Sequence, residues 1–164
     1  MSQPPLRLRS PRERVSPRAR LMWTCTDVLR LAPVGVVLAL GGGPWNWFTV
    51  PAWLWVAYAV VVVAYAGVVP QWRYLVHRWE VTDTAVYTQT GWWARERRIA
   101  PMSRVQTVDH REGAVSRLFG LATVRVTTAS SAGALTIEGL DQPRALAIVE
   151  ELTRTAGSVP GDAT

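Results

Sequence analysis

Between Leu31 and Trp72 the chain carries no charged residue, a run of 42 positions. A water-soluble helix or strand needs a polar face, and a run of this length has none to offer, so an ordinary soluble fold is excluded. A bilayer core is about 30 Å thick and takes roughly 20 helical residues to cross. The run is long enough for two crossings, and Gly41-Gly42-Gly43-Pro44 and Asn46 interrupt it near its first third. Two helices in a tight hairpin are therefore predicted within residues 21–70, spanning about 24–43 and 51–69.

The second span is sharply bounded. Pro51 suits a first helical position, Ala52 to Val69 is free of charge, and Pro70 is expected to end the helix. Trp53, Trp55 and Trp72 fall where aromatic belts sit at headgroup depth. The first span is too short from Leu31 to Leu40 alone, and extending it backward brings in Asp27 and Arg30. Three residues apart on a helix, these two share a face and can pair. Both are expected near an interface, with Arg30 snorkelling to water. An ion relay through the membrane is the competing role, but the second span offers no partner charge.

Charge placement sets the orientation. Of 18 Arg, with no Lys, six lie in residues 1–20 against the single acid Glu13. Arg73 and Arg78 follow the second span, while the loop from Gly41 to Val50 is uncharged. Arg collects on the cytoplasmic side, so a multi-pass cell-membrane protein with both termini cytoplasmic is predicted. The late, doubled apolar segment lacks a small-residue cleavage pattern, which favours an anchor over a signal peptide. Residues 1–20, with Pro4, Pro5, Pro11 and Pro17, are expected to be a disordered basic tail lying along anionic lipid. Residues 71–164 hold eleven Arg against ten acids, so the folded part lacks the basic surface a nucleic-acid partner requires.

From residue 71 the pattern changes to period two. Strands are predicted at Tyr74–Val81, Ala85–Thr90, Trp92–Ile99, Arg104–His110, Leu121–Thr128 and Ala134–Glu138, with Ser130 to Gly133 as a turn. Regular spacing with short turns argues an antiparallel sheet or partly open barrel. Asp141 then reads as an N-cap, Pro143 fits a first turn, and Arg144–Thr155 forms an amphipathic helix. Its stripe of Leu146, Val149 and Leu152, widened by Ala145 and Ile148, is expected to plug the barrel. The domain is thus bounded at 71–156, with 157–164 a second disordered tail.

These segments carry a resemblance. Tyr74-Leu75-Val76, Val81-Thr82-Asp83, Gly91, Arg98-Ile99-Ala100-Pro101, Arg104 to Val108, Arg117 to Ala122, Val124 to Ala129 and Ile137 to Leu140 follow in order. Together with the upstream hairpin they resemble the bacterial pleckstrin-homology-like domain family, in its membrane-anchored form with two N-terminal helices. The fold class is then an α+β membrane protein: a transmembrane hairpin, a small antiparallel PH-like barrel or sandwich, and a C-terminal capping helix. The resemblance implies seven strands and supplies no catalytic residues. Read physically, Gly91 and Gly120 are turns needing unusual backbone angles. Leu118 and Phe119 are expected to cap the core, and Gln106 to bond backbone inside the barrel. Arg98 and Arg104 can pair with Glu96 or Asp109.

No motif for chemistry emerges. His77 and His110 lack metal-ligand spacing, Gly41-Gly42-Gly43 lacks a phosphate-loop Lys, and Thr127, Thr128, Ser130 and Ser131 lack a nucleophile elbow. Asp109, His110, Arg111 and Glu112 read as a solvated loop, and Cys25 as a buried inert thiol ahead of a lipidation site. One Cys excludes a disulfide framework. No catalytic, metal or cofactor residue is assigned, and no cofactor is expected. Three functions compete: a non-catalytic binding or scaffold module, a membrane assembly that oligomerises through small residues of the hairpin, and an enzyme with an unrecognised site. The partners expected are the lipid bilayer and a protein partner or a second copy. Asp83-Thr84-Ala85 puts no basic residue on the first hairpin, which argues against phosphoinositide binding.

Overall fold

The computed structural model describes residues 10–45, 47–91, 94–129 and 133–158. Helix α1 (Ala19–Gly42) and helix α2 (Ala52–Val76) form the hairpin. At 24 and 25 residues, each is long and apolar enough to cross a bilayer. Glycines let the two helices approach. A Cβ on Gly35 would lie 2.9 Å from the Tyr58 hydroxyl, and one on Gly41 would strike the Phe48 ring. Tyr58 donates to the Leu31 carbonyl at 2.9 Å. In the connecting loop, Trp45 and Trp47 stack at 4.9 Å.

Pro70 does not end the second helix. It is buried inside α2, which runs on to Val76 and is capped where the His77 amide bonds the Arg73 carbonyl at 2.8 Å. A proline costs one intrahelical bond and a local clash, and packing against the domain outweighs that here. The strand expected at Tyr74–Val81 is accordingly shorter, β2 being Arg78–Val81.

The chain after the hairpin supplies β2, β3 (Ala85–Thr90), β4 (Glu96–Pro101), β5 (Val105–Arg111), β6 (Leu121–Thr128) and β7 (Leu135–Asp141). A 3₁₀ turn (Met102–Arg104) precedes β5, a short helix α3 (Ala114–Leu118) precedes β6, and α4 (Gln142–Ser158) closes the chain. Two antiparallel sheets result, one ordered β2-β3-β4 with a further strand beside β2, the other β5-β6-β7. They face one another but are not joined into a closed barrel, so the architecture is α+β with two open sheets.

The seventh strand comes from an unexpected place. β1 (Glu13–Arg14) belongs to the stretch read as a disordered tail, and it pairs with β2 through Glu13↔Trp79 and Arg14↔Arg78. The Ser16 amide bonds the Gly139 carbonyl at 2.9 Å, and Ser16 Oγ donates to Asp141 Oδ1 at 2.9 Å. Val15, Ala19, Met22 and Trp23 enter the same core as Trp79, Val124, Ile137 and Leu152. Burial of four apolar side chains and a short ladder is enough to hold a segment whose composition alone suggested solvation. Gly139 makes this docking possible: its φ is +76° and a Cβ would lie 2.6 Å from that of Ala19.

Helix α4 covers the second sheet, but with a rotated stripe. Ala145, Ile148 and Leu152 are buried, whereas Leu146 is 47 % exposed. Other expectations also shift. Leu118 is 84 % exposed, leaving Phe119 alone to pack on the core. Gln106 is exposed at a bulge in β5, where the extra residue turns its side chain outward. Cys25 is exposed on α1 rather than buried. Gly91 and Gly120 do take positive φ, +125° and +65°.

Candidate binding cavity at the seam of hairpin and domain

Helical spacing aims two stripes at one place. On α1, Trp23, Asp27 and Arg30 follow at four and three residues, which puts them on one face. On α2, Tyr65, Val69 and Arg73 recur every four residues, and His77 caps the helix. Asp27 and Arg30 of the first stripe and all four residues of the second line a cavity of about 510 Å³ together with both sheets. Thr88 and Thr90 of β3 line it, beside their cross-strand neighbours Arg98 and Glu96 of β4. Thr136 and Glu138 of β7 close the opposite wall.

The charges are matched within the chain. Asp27, only 4 % exposed, lies 3.6 Å from Arg30, whose own side chain is 71 % exposed. This is the pairing its spacing predicts. Arg98 Nε lies 2.6 Å from Glu96 Oε1, and Arg73 Nη2 donates to Glu138 Oε2 at 3.0 Å. The Arg73 guanidinium also stacks 4.8 Å above the Trp23 ring, and Trp23 meets His77 edge-on at 6.0 Å. One guanidinium thus ties α2 to β7 and to α1. Asp27 Oδ2 and His77 Nε2 are buried without a hydrogen-bond partner among the described residues.

His77 is pushed down to a pKa of about 4, first by burial and then by the Arg73 charge. The imidazole is neutral at physiological pH. No group of three or more His, Cys, Asp or Glu suited to a metal occurs among the described residues. The arrangement can accept and donate hydrogen bonds and present matched charges.

The polar run Asp109 to Glu112 lies elsewhere. Asp109, His110 and Arg111 belong to strand β5 rather than a loop, and Glu112 follows it. Glu112 receives Gln142 at 2.6 Å and lies 3.8 Å from Arg117, so these residues join β5 to α3 and α4. Thr128 bonds the Gly133 carbonyl at 3.4 Å in the β6–β7 turn, and Ser130 and Ser131 lie outside the described residues. The sequence does not foretell the cavity. The four-residue recurrence Tyr65, Val69, Arg73, His77 was its signal, hidden by reading Pro70 as a stop.

A helical hairpin carrying two opposed antiparallel sheets and a C-terminal helix defines a membrane-anchored PH-like protein. The profile of the Bacterial PH domain family matches residues 28–156, and the chain belongs to that family. It is similar to a UPF0699 transmembrane protein, YdbS, of Bacillus subtilis (strain 168). The two are 28 % identical over 144 residues, covering 82 % of this chain and 89 % of the relative. No solved structure matches. The match begins inside α1, so it takes in most of the hairpin as well as the domain.

Proposed function

We propose that this protein is a non-catalytic binding module of the cell membrane, with both termini cytoplasmic, that seats a protein partner at the seam cavity. One observation carries the reading: the cavity is lined by both helices of the hairpin and by both sheets of the domain, so a segment bound there touches hairpin and domain together. Charge balance favours a polypeptide over a highly charged metabolite, since Arg30, Arg73 and Arg98 each have an acid beside them. A base with a pKa of about 4 is poorly matched to proton transfer at neutral pH, which supports a non-enzymatic role.

Photo-crosslinking side chains at Thr90 and Thr136 test the site. Each should give a discrete protein adduct in cells that the same probe at Thr153, on the exposed face of α4, does not give. Adducts to lipid alone, or equal adducts at Thr153, would overturn it. Orientation is tested separately in a Cys25→Ser background. Trp47→Cys should react with an impermeant thiol reagent in intact cells, and Ser103→Cys only after permeabilisation; the opposite order refutes the topology.

Assembly through the hairpin is the second reading, and one residue favours it. Gly35, Gly41 and Gly42 are filled from within the hairpin by Tyr58, Phe48 and Val50, but a Cβ on Gly67 would meet nothing within 4 Å. Gly67 leaves an open face on α2 against which another helix could pack.

A further inference from the structure

The face of the first sheet that turns away from the core has its own chemistry. The strand registers Arg14↔Arg78, Arg78↔Gln89 and Gln89↔Arg97 place these four residues in a single cross-strand row. Side chains alternate along a strand, so this row lies opposite Trp79, Thr88 and Arg98, which point to the core and the seam cavity. It packs instead beneath the end of α2, where Gln89 Nε2 donates to the Val76 carbonyl at 3.1 Å. A second cavity of about 380 Å³ opens there, and Arg78, Arg95 and Arg97 line it with no carboxylate. Among the described residues neither Arg78 nor Arg95 has an ion pair, and Arg97 bonds the neutral Gln89 Oε1 at 3.0 Å. Glu80 faces the same side two residues beyond Arg78, but stands opposite Tyr87 and does not line the cavity.

Arg14 and Arg78 repel as like charges directly opposite on neighbouring strands, and Arg78 and Arg97 flank the neutral Gln89, so an anion seated between the guanidinium groups is favoured. The depth of the cavity says which anion. Counting about 20 residues from Ala52 exhausts the hydrocarbon core near Gln71. Trp72 and Leu75, which form the apolar rim of the cavity and are exposed, therefore lie in the headgroup layer. Phosphate is the anion of that layer, and guanidinium forks match its geometry.

We infer that Arg78, Arg95 and Arg97 form a headgroup site for an anionic glycerophospholipid, its acyl chains lying along Trp72 and Leu75. The site takes a phosphodiester rather than a phosphorylated inositol, and sits on the sheet face beneath α2 rather than on the first hairpin of the domain. It is separate from the seam cavity, where every guanidinium has an acid beside it.

The test uses the full chain in neutral detergent, titrated with phosphatidylglycerol or phosphatidylcholine and read by native mass spectrometry. Phosphatidylglycerol should bind in preference, and the double variant Arg78→Gln/Arg97→Gln should weaken it about tenfold or more, the equivalent of one lost charge-assisted hydrogen bond. Arg125→Gln, on the exposed face of β6, removes the same kind of charge and should leave binding unchanged. Arg95→Gln, exposed and outside any strand, should weaken binding with no change in melting temperature, which separates a lost site from a lost fold. Equal binding of the two lipids, equal loss in Arg125→Gln, or full displacement by equimolar inorganic phosphate would overturn the proposal.

Discussion

His77 stands where α2 gives way to β2, and its neutral ring is part of the packing between hairpin and domain. Its pKa falls from 6.5 to about 4 on folding, so between those values the unfolded chain binds the extra proton. Stability from this group is complete above pH 6.5, declines as pH drops towards 4, and is absent below. The loss across that window is about 3 kcal/mol. Asp27, Glu138, Glu96, Arg30, Arg73 and Arg98 share the cavity, so the effect must be isolated by substitution. Denaturation of the detergent-solubilised chain should show this slope, and His77→Phe should abolish it. An unchanged slope in His77→Phe would assign the dependence to the carboxylates.

At the scale of elements, α4 offers the sharpest contrast. Ala145, Ile148 and Leu152 recur at three and four residues and are buried, while Leu146 looks outward. Leu152→Ala should cost about 2–5 kcal/mol, a large share of the stability of so small a domain. Leu146→Ala should cost well under about 1 kcal/mol. Chemical denaturation of both variants decides which stripe carries the helix. The sequence displayed β3 and β6 end to end, because alternation bounded by turn residues is a local signal. It displayed the pairing of Asp27 with Arg30 for the same reason. It misjudged α4 by one step, since Leu146 and Ile148 both fit a helical stripe and only the opposing sheet chooses between them. It hid β1 altogether. Two residues amid arginines and prolines carry no periodicity, and their stability comes from Trp79, Gly139 and Asp141, far along the chain.

At the scale of the molecule, the domain cannot be cut from its anchor at the end of α2. Val15, Ala19, Met22 and Trp23 are buried in its core, and Arg144 of α4 bonds Glu13 at 3.2 Å. A soluble fragment 71–164 would expose the surfaces those side chains cover. It should melt well below the full chain or lose its cooperative transition. Circular dichroism in one detergent compares the two. Identical melting of 71–164 and the full chain would mean that the N-terminal segment adds nothing to the domain.

The ladder between β1 and β2 has a consequence for biogenesis. Arg14 accepts the indole hydrogen bond of Trp79, 65 residues later, and both membrane helices are made in between. The first strand leaves the ribosome early and has no partner until the hairpin is finished. It can then pair only if the chain has returned to the side from which it set out. A product with one span inserted and the other stalled would leave the two strands on opposite sides of the lipid, with the domain's first sheet short of a strand and its core short of four side chains. Completion of this sheet is therefore a check on insertion, built into the register of two residues.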